Sequence, residues 1–148
     1  MTDEQVSTPI TFAPASSAIV IRDGRLLLVK RSKPPAADLY AFPGGRGEPG
    51  ETPDETALRE LKEETGLDAH SPRLFVSYDL TPDPGGPAHH HFHLSVFLVT
   101  LADPSAEAVA ESDALELGWY TPDEIRHLPA PASVVDCVER LVAAEEAS

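Results

Sequence analysis

One cysteine, Cys137, stands among 148 residues. It has no partner for an intrachain disulfide, so stability must come from a hydrophobic core, and nothing marks an oxidising compartment. Long apolar runs are missing too: no stretch approaches the roughly 18 residues of a membrane span. The first residues carry Asp3 and Glu4 where a signal peptide would carry basic ones. A cytoplasmic protein with no membrane partner is the expectation. Basic residues are scarce, 11 against 25 acidic ones, for a net charge of −14. Such a surface repels nucleic-acid backbones, which disfavours a polymer partner and favours a small molecule. The length suits one domain, expected over residues 15–148 behind a flexible tail at residues 1–14.

What is present reads as alternating strands and helices. Residues 16–22 and 25–31 are apolar, β-branched runs on either side of Asp23-Gly24, a two-residue hairpin signature. Pro34-Pro35 breaks the pattern. A short extended piece at residues 39–42 then leads into Pro43-Gly44-Gly45 and a glycine-rich loop. Thr52-Pro53-Asp54-Glu55 predicts a capped helix start, and Gly66 its left-handed stop. Strands are expected over residues 73–80, 91–101 and 115–120, with Phe92, Leu94, Val96 and Leu98 on one face of the second. Thr121-Pro122-Asp123-Glu124 predicts a short capped helix, and Val134, Val135, Val138, Leu141 and Val142 give residues 133–144 the spacing of an amphipathic one. The expected fold class is α/β, with the helices packed around a mixed sheet.

The helix that begins after Thr52 carries the chemistry. At about 100° per residue, Glu63 and Glu64 fall within roughly 60° of Glu60, while Ala57, Leu58 and Leu61 project to the other side. Like charges at this spacing repel, so the ridge calls for a cation. Hard divalent ions take oxygen ligands, and magnesium keeps several waters while bridging one or two carboxylates to a substrate phosphate. Bound divalent cations would also explain how so acidic a chain accepts an anionic substrate. The competing reading is a plain solvated face in which Glu55 and Glu63, each four residues from Arg59, form ordinary ion pairs.

The whole segment from Gly45 to Leu67 decides between these readings. GRGEPGETPDETALRELKEETGL places Gly45, then five residues, Glu51, then seven residues, Arg59-Glu60-Leu61, one residue, Glu63-Glu64, one residue, and Gly66-Leu67. It resembles the Nudix box at every specified position, and its surroundings from about Ser16 to Leu141 resemble Nudix domains. The resemblance implies a Nudix fold, an α/β/α sandwich around a mixed β-sheet. It implies magnesium, with manganese as a substitute, held by Glu60, Glu63, Glu64 and the backbone carbonyl of Gly45. Arg59 would orient the carboxylates, and Glu51 would brace the loop against the helix. A carboxylate base completes the set, and Glu60, Glu111, Asp113 and Glu116 are its candidates. Glu116 matches the spacing of an acidic position in the ADP-ribose pyrophosphatase-like branch.

That branch is also resembled by the Arg31-Ser32-Lys33-Pro34-Pro35 and Trp119-Tyr120 pieces. It implies cleavage of a nucleoside diphosphate linked to another moiety, with ADP-ribose giving AMP and ribose 5-phosphate as first choice. Arg31, His91 and His93 are the candidate substrate contacts. Period two puts His89, His91, His93 and Ser95 on one strand face, although partly exposed strand residues are the bland alternative; His90 falls in the same cluster. Zinc on these histidines is disfavoured, because alternate strand positions stand about 6 to 7 Å apart. The alternatives in function are a nucleoside triphosphate pyrophosphohydrolase acting on damaged nucleotides, and a nucleotide sensor that binds without cutting. Relatives of this kind also imply a homodimer as one assembly.

Overall fold

The computed structural model describes residues 11–32, 38–81, 91–111 and 114–147. Within them run β1 (Ala13–Ile19), β2 (Ile21–Arg22), β3 (Arg25–Arg31), β4 (Tyr40–Ala41), β5 (Gly44–Arg46), α1 (Pro53–Thr65), β6 (Ala69–Leu80), β7 (Phe92–Leu101), β8 (Ala114–Tyr120), α2 (Pro122–Ile125) and α3 (Ala132–Glu146). The proline break at residues 33–35, most of the 81–88 loop, His89, His90 and Asp113 lie outside the described residues.

The expected hairpin is present: Ile21 pairs Leu26 and Arg22 pairs Arg25 across Asp23 and Gly24, both at positive φ. That twist matches the right-handed twist of the flanking strands. Its first arm is two strands, however, not one. β1 joins the sheet ordered β5-β1-β7-β6, and β2 starts a second sheet with β3 and β4, to which β8 adds by pairing β3. The chain changes sheets at Val20, which stands between the end of β1 and the start of β2. Ile19 belongs to one core with Val96, Ile125, Val134 and Val138; Ala18 and Val20 belong to another with Leu27, Ala57, Leu61 and Phe97.

The first sheet is mixed. β1 runs parallel to β7, whereas β1–β5 and β6–β7 are antiparallel. With α1 over one face and α3 over the other, the layering is the α/β/α arrangement expected, and the small antiparallel sheet is an addition to it. Boundaries move: β6 begins at Ala69, ahead of the expected residue 73, and α3 runs on to Glu146. Ala13 and Pro14, assigned to the tail, are already in β1 because their backbone pairs with Phe92 and His93. Gly44–Arg46, expected to open a loop, is an edge strand zipped to β1 at Ser17, Ser16 and Ala15.

β7 differs from its expected half-exposed form. It lies between β1 and β6, so both faces are covered: Val96 packs toward α3, while Ser95 and Phe97 lie on the α1 side, 6% and 7% exposed. Leu61 anchors α1 to that side with no exposure at all. Cutting it to alanine would cost about 2–5 kcal/mol.

Candidate active site

α1 begins and ends where its punctuation places it. Glu55 accepts the Thr52 N–H at 2.9 Å, Pro53 opens the helix, and Gly66 closes it at φ 76° with its N–H on the Lys62 carbonyl. These ends fix which turns carry Arg59, Glu60, Glu63 and Glu64, and Ala57 and Leu61 fix which way they point.

Arg59 is saturated by the protein itself. Its Nε and Nη2 donate to the two oxygens of Glu51 at 2.7 and 3.0 Å, a forked pair, and Nη2 also reaches the Arg46 carbonyl at 3.0 Å. Nη1 donates to Glu60 at 3.1 Å and to Glu63 at 3.0 Å. Glu51 in turn accepts from the Thr56 hydroxyl at 2.6 Å and the Glu48 N–H at 3.0 Å. The Arg59 guanidinium, then Thr56 and Glu48, hold the Glu51 carboxyl down at about 2. Arg59 is held above its ordinary range, first by its bond to Glu51. The geometry is that of a brace between the β5–α1 loop and the helix.

Glu60 shares Arg59 with Glu51 and Glu63, and Glu64, one helical turn further on, makes no hydrogen bond to it. Glu64 is 8% exposed and accepts the Gly44 N–H at 3.0 Å. Burial, followed by the neighbouring charge of Glu60, pushes its carboxyl up to about 7, against the opposing pull of the Gly44 N–H and Arg31. Glu60 is raised as well, burial leading again and Glu63 adding to it, while Arg59 pulls the other way. Glu60 presses on β5 so closely that a Cβ at Gly45 would lie 2.6 Å from its carboxyl carbon. A side chain there would have to displace the Glu60 carboxylate.

Glu60 and Glu64 face a cavity of about 330 Å³, also lined by Arg31, Arg59, Val29, Ala114 and the Gly44–Glu48 backbone. Arg31 Nη1 donates to the Gly44 carbonyl at 3.4 Å. Among the described residues, no three carboxylate, imidazole or thiol side chains are gathered into a ready cage. One or two carboxylates are nevertheless all that a magnesium site that keeps its waters takes from a protein. Two buried carboxyls that raise each other's pKa are also groups that a divalent cation would relieve. The donor set fits the metal.

The other expected residues are placed as follows. Glu63 is on the rim, half exposed and turned onto Arg59. Glu116 does not reach the cavity. It pairs Lys30 across the β3–β8 ladder and accepts the Tyr40 hydroxyl at 2.9 Å, whereas the cavity wall is made by Val29 and Arg31. Neighbouring strand residues point to opposite faces, so a side chain level with Lys30 faces away from a cavity lined by Val29 and Arg31. Glu111 lies beyond the C-terminus of α1, with its N–H on the Glu64 carbonyl at 2.9 Å. His93 binds Asp79 across the β6–β7 pair at 2.7 Å and His91 packs edge-on against Phe12; neither lines the cavity. The covered middle of β7 is the reason, because the face these histidines share meets α1 further along the strand. Gly44 was not singled out from the sequence, nor were Val29 and Ala114. Only the doubled glycine before Arg46 signalled the first of these.

Comparison with known proteins agrees with the geometry. The NUDIX domain family matches residues 11–141. The chain belongs to the Nudix family of hydrolases. It is 35% identical over 118 residues to an ADP-ribose pyrophosphatase of Methanocaldococcus jannaschii, covering 79% of this chain and 64% of that protein. It is 32% identical over 121 residues to a CTP pyrophosphohydrolase of Escherichia coli K12, covering 80% and 83%. A solved MutT NUDIX hydrolase from Burkholderia pseudomallei superposes with a TM-score of 0.76 at 26% identity, over 87% of this chain and 97% of that one. No helix among the described residues is long and apolar enough to cross a membrane.

Proposed function

We propose that the protein hydrolyses the diphosphate bond of a nucleoside diphosphate joined to a further moiety, ADP-ribose first, releasing AMP and ribose 5-phosphate. The observation that carries this reading is the buried Glu60–Glu64 pair facing a cavity that Arg31 also lines. In this reading Glu60, Glu64 and the Gly45 carbonyl hold magnesium, with manganese able to replace it, and Glu63 joins from the rim. The bound ion would neutralise the diphosphate and lower the pKa of a coordinated water. Arg31 steadies a phosphate oxygen in the same cavity. Arg59, with its donors already committed, keeps Glu60 and Glu63 in orientation.

Of the base candidates among the described residues, Glu60 alone lines the cavity. A carboxylate oxygen of Glu60 is therefore assigned the proton of the attacking water. The similarity to the M. jannaschii pyrophosphatase supports ADP-ribose. The similarity to the E. coli CTP pyrophosphohydrolase favours a second reading, cleavage of a nucleoside triphosphate to monophosphate and pyrophosphate. Hydrolysis of a panel of diphosphates and triphosphates, with and without magnesium, tests both. Two phosphate monoesters from ADP-ribose support the first. Pyrophosphate from triphosphates alone replaces it with the second, and nucleotide binding without turnover would leave a sensor.

A further inference from the structure

The segment between β7 and β8 has no regular structure over residues 106–111, yet it supplies backbone donors to the catalytic helix. The Val109 N–H donates to the Thr65 carbonyl at 3.0 Å, and the Glu111 N–H to the Glu64 carbonyl at 2.9 Å. The last carbonyls of a helix have no partner within it. Here Thr65 and Glu64 are 0% and 8% exposed, so carbonyls left without these donors would be buried and unpaired. Gly66 permits the close approach, since a Cβ there would stand 3.1 Å from the Glu111 carboxylate.

Ala106 and Ala108 of this segment pack on the core beneath α1, and a further hold comes from the other sheet. Arg22, at the end of β2, donates from Nη2 to the Ala106 carbonyl at 2.8 Å. Its guanidinium lies over the Trp119 ring of β8, 4.5 Å from the centroid. Its Nε is buried with no hydrogen-bond partner. One carbonyl and one ring face therefore set the position of the charge. Cation–π contact with a tryptophan is the strongest of its kind, and a planar guanidinium suits it better than an ammonium.

We infer that Arg22 is a positioning residue for the active site: by clamping Ala106 beside Trp119 it holds the 106–111 segment, whose N–H groups at Val109 and Glu111 fix the backbone of Glu64. The inference rests on the assignment of Glu64 to the metal site. Its consequence is that a hairpin remote from the cavity sets the metal affinity within it.

The test uses the full chain with Arg22→Gln and Arg22→Lys, reading amide exchange over residues 106–111, manganese affinity, and kcat and KM. For Arg22→Gln, faster exchange at Val109 and Glu111, with metal affinity and kcat each lower by about tenfold and KM unchanged, is expected. Lysine, which reaches the carbonyl but stacks poorly, should fall between, and it carries the test should the glutamine variant not fold. Tyr78→Phe is the control, removing a 2.6 Å bond to Asp136 that ties β6 to α3 away from the site. Unchanged exchange in Arg22→Gln, faster exchange with wild-type metal affinity, or equal losses in Tyr78→Phe would each overturn the inference. Exchange and metal affinity need no substrate. A wrong substrate assignment would therefore show as absent turnover with both readouts still moving.

Discussion

Glu51, in the loop before α1, and Glu64, near the end of that helix, are carboxylates with opposite fates. Glu51 is held at about 2 by Arg59, while Glu64 is pushed up to about 7 by burial and by Glu60. Residue type is the same in both, so the difference lies in whether a fixed cation is in place. Around Arg59 the protein supplies its own, and the result is a rigid brace. At Glu64, and at Glu60, which shares Arg59 with two other carboxylates, the charge is left under-compensated, and the result is a place for a cation that the chain does not encode. A metal site of this kind is built by withholding a counter-charge next to a pair that has one.

The sharpest way to break this comparison is to remove charge from each carboxylate in turn. Glu64→Gln is expected to lower kcat by roughly a hundredfold with the fold intact, and Glu63→Gln by less, since Glu63 stands on the rim. Near wild-type rates in folded Glu64→Gln, measured under saturating magnesium, would remove Glu64 from the metal site. Next in size is the response to the ion itself. Magnesium at about a hundred times its Kd should stabilise the wild type by about 2.7 kcal/mol, seen as a rise in Tm, and the rise should vanish in Glu64→Gln.

A smaller effect is expected in acid. Because the folded-state pKa of Glu51 is depressed from 4.5 to about 2, its contribution to stability is fully present above 4.5. It fades as the pH falls toward about 2. Tm followed across that window should fall less steeply in Glu51→Gln than in the wild type. An equal slope in both would mean that the Glu51–Arg59 brace carries no stability. The smallest effect belongs to Glu116, which faces away from the cavity: Glu116→Gln should keep kcat within about twofold of wild type. A large loss would show that β8 turns this side chain toward the substrate during catalysis.

The box helix was legible because its information is local. Capping residues, a left-handed glycine and a 3.6-residue period all act within a few positions of one another, and they place Glu60, Glu63 and Glu64 without reference to the rest of the chain. Alternation in the strands was equally legible. It told that Glu116 and its neighbours point to opposite faces, but not which face would meet the cavity. That depended on Lys30 standing opposite Glu116. The histidines failed for a related reason. Period two predicts one face for them, but the face of β7 that carries His93 and Ser95 leads to α1, which a strand pattern does not identify.

The sequence by itself determined the helix, its carboxylates and their spacing, because these follow from short-range geometry along one segment. The tertiary structure alone decided that Glu60 and Glu64 are buried together against Gly45 while Glu63 stays at the rim, that Arg31 and not Glu116 faces them, and that Arg22 reaches a loop 84 positions away. Burial and facing are set by which layers close over each other. That information is shared between distant segments and belongs to none of them singly.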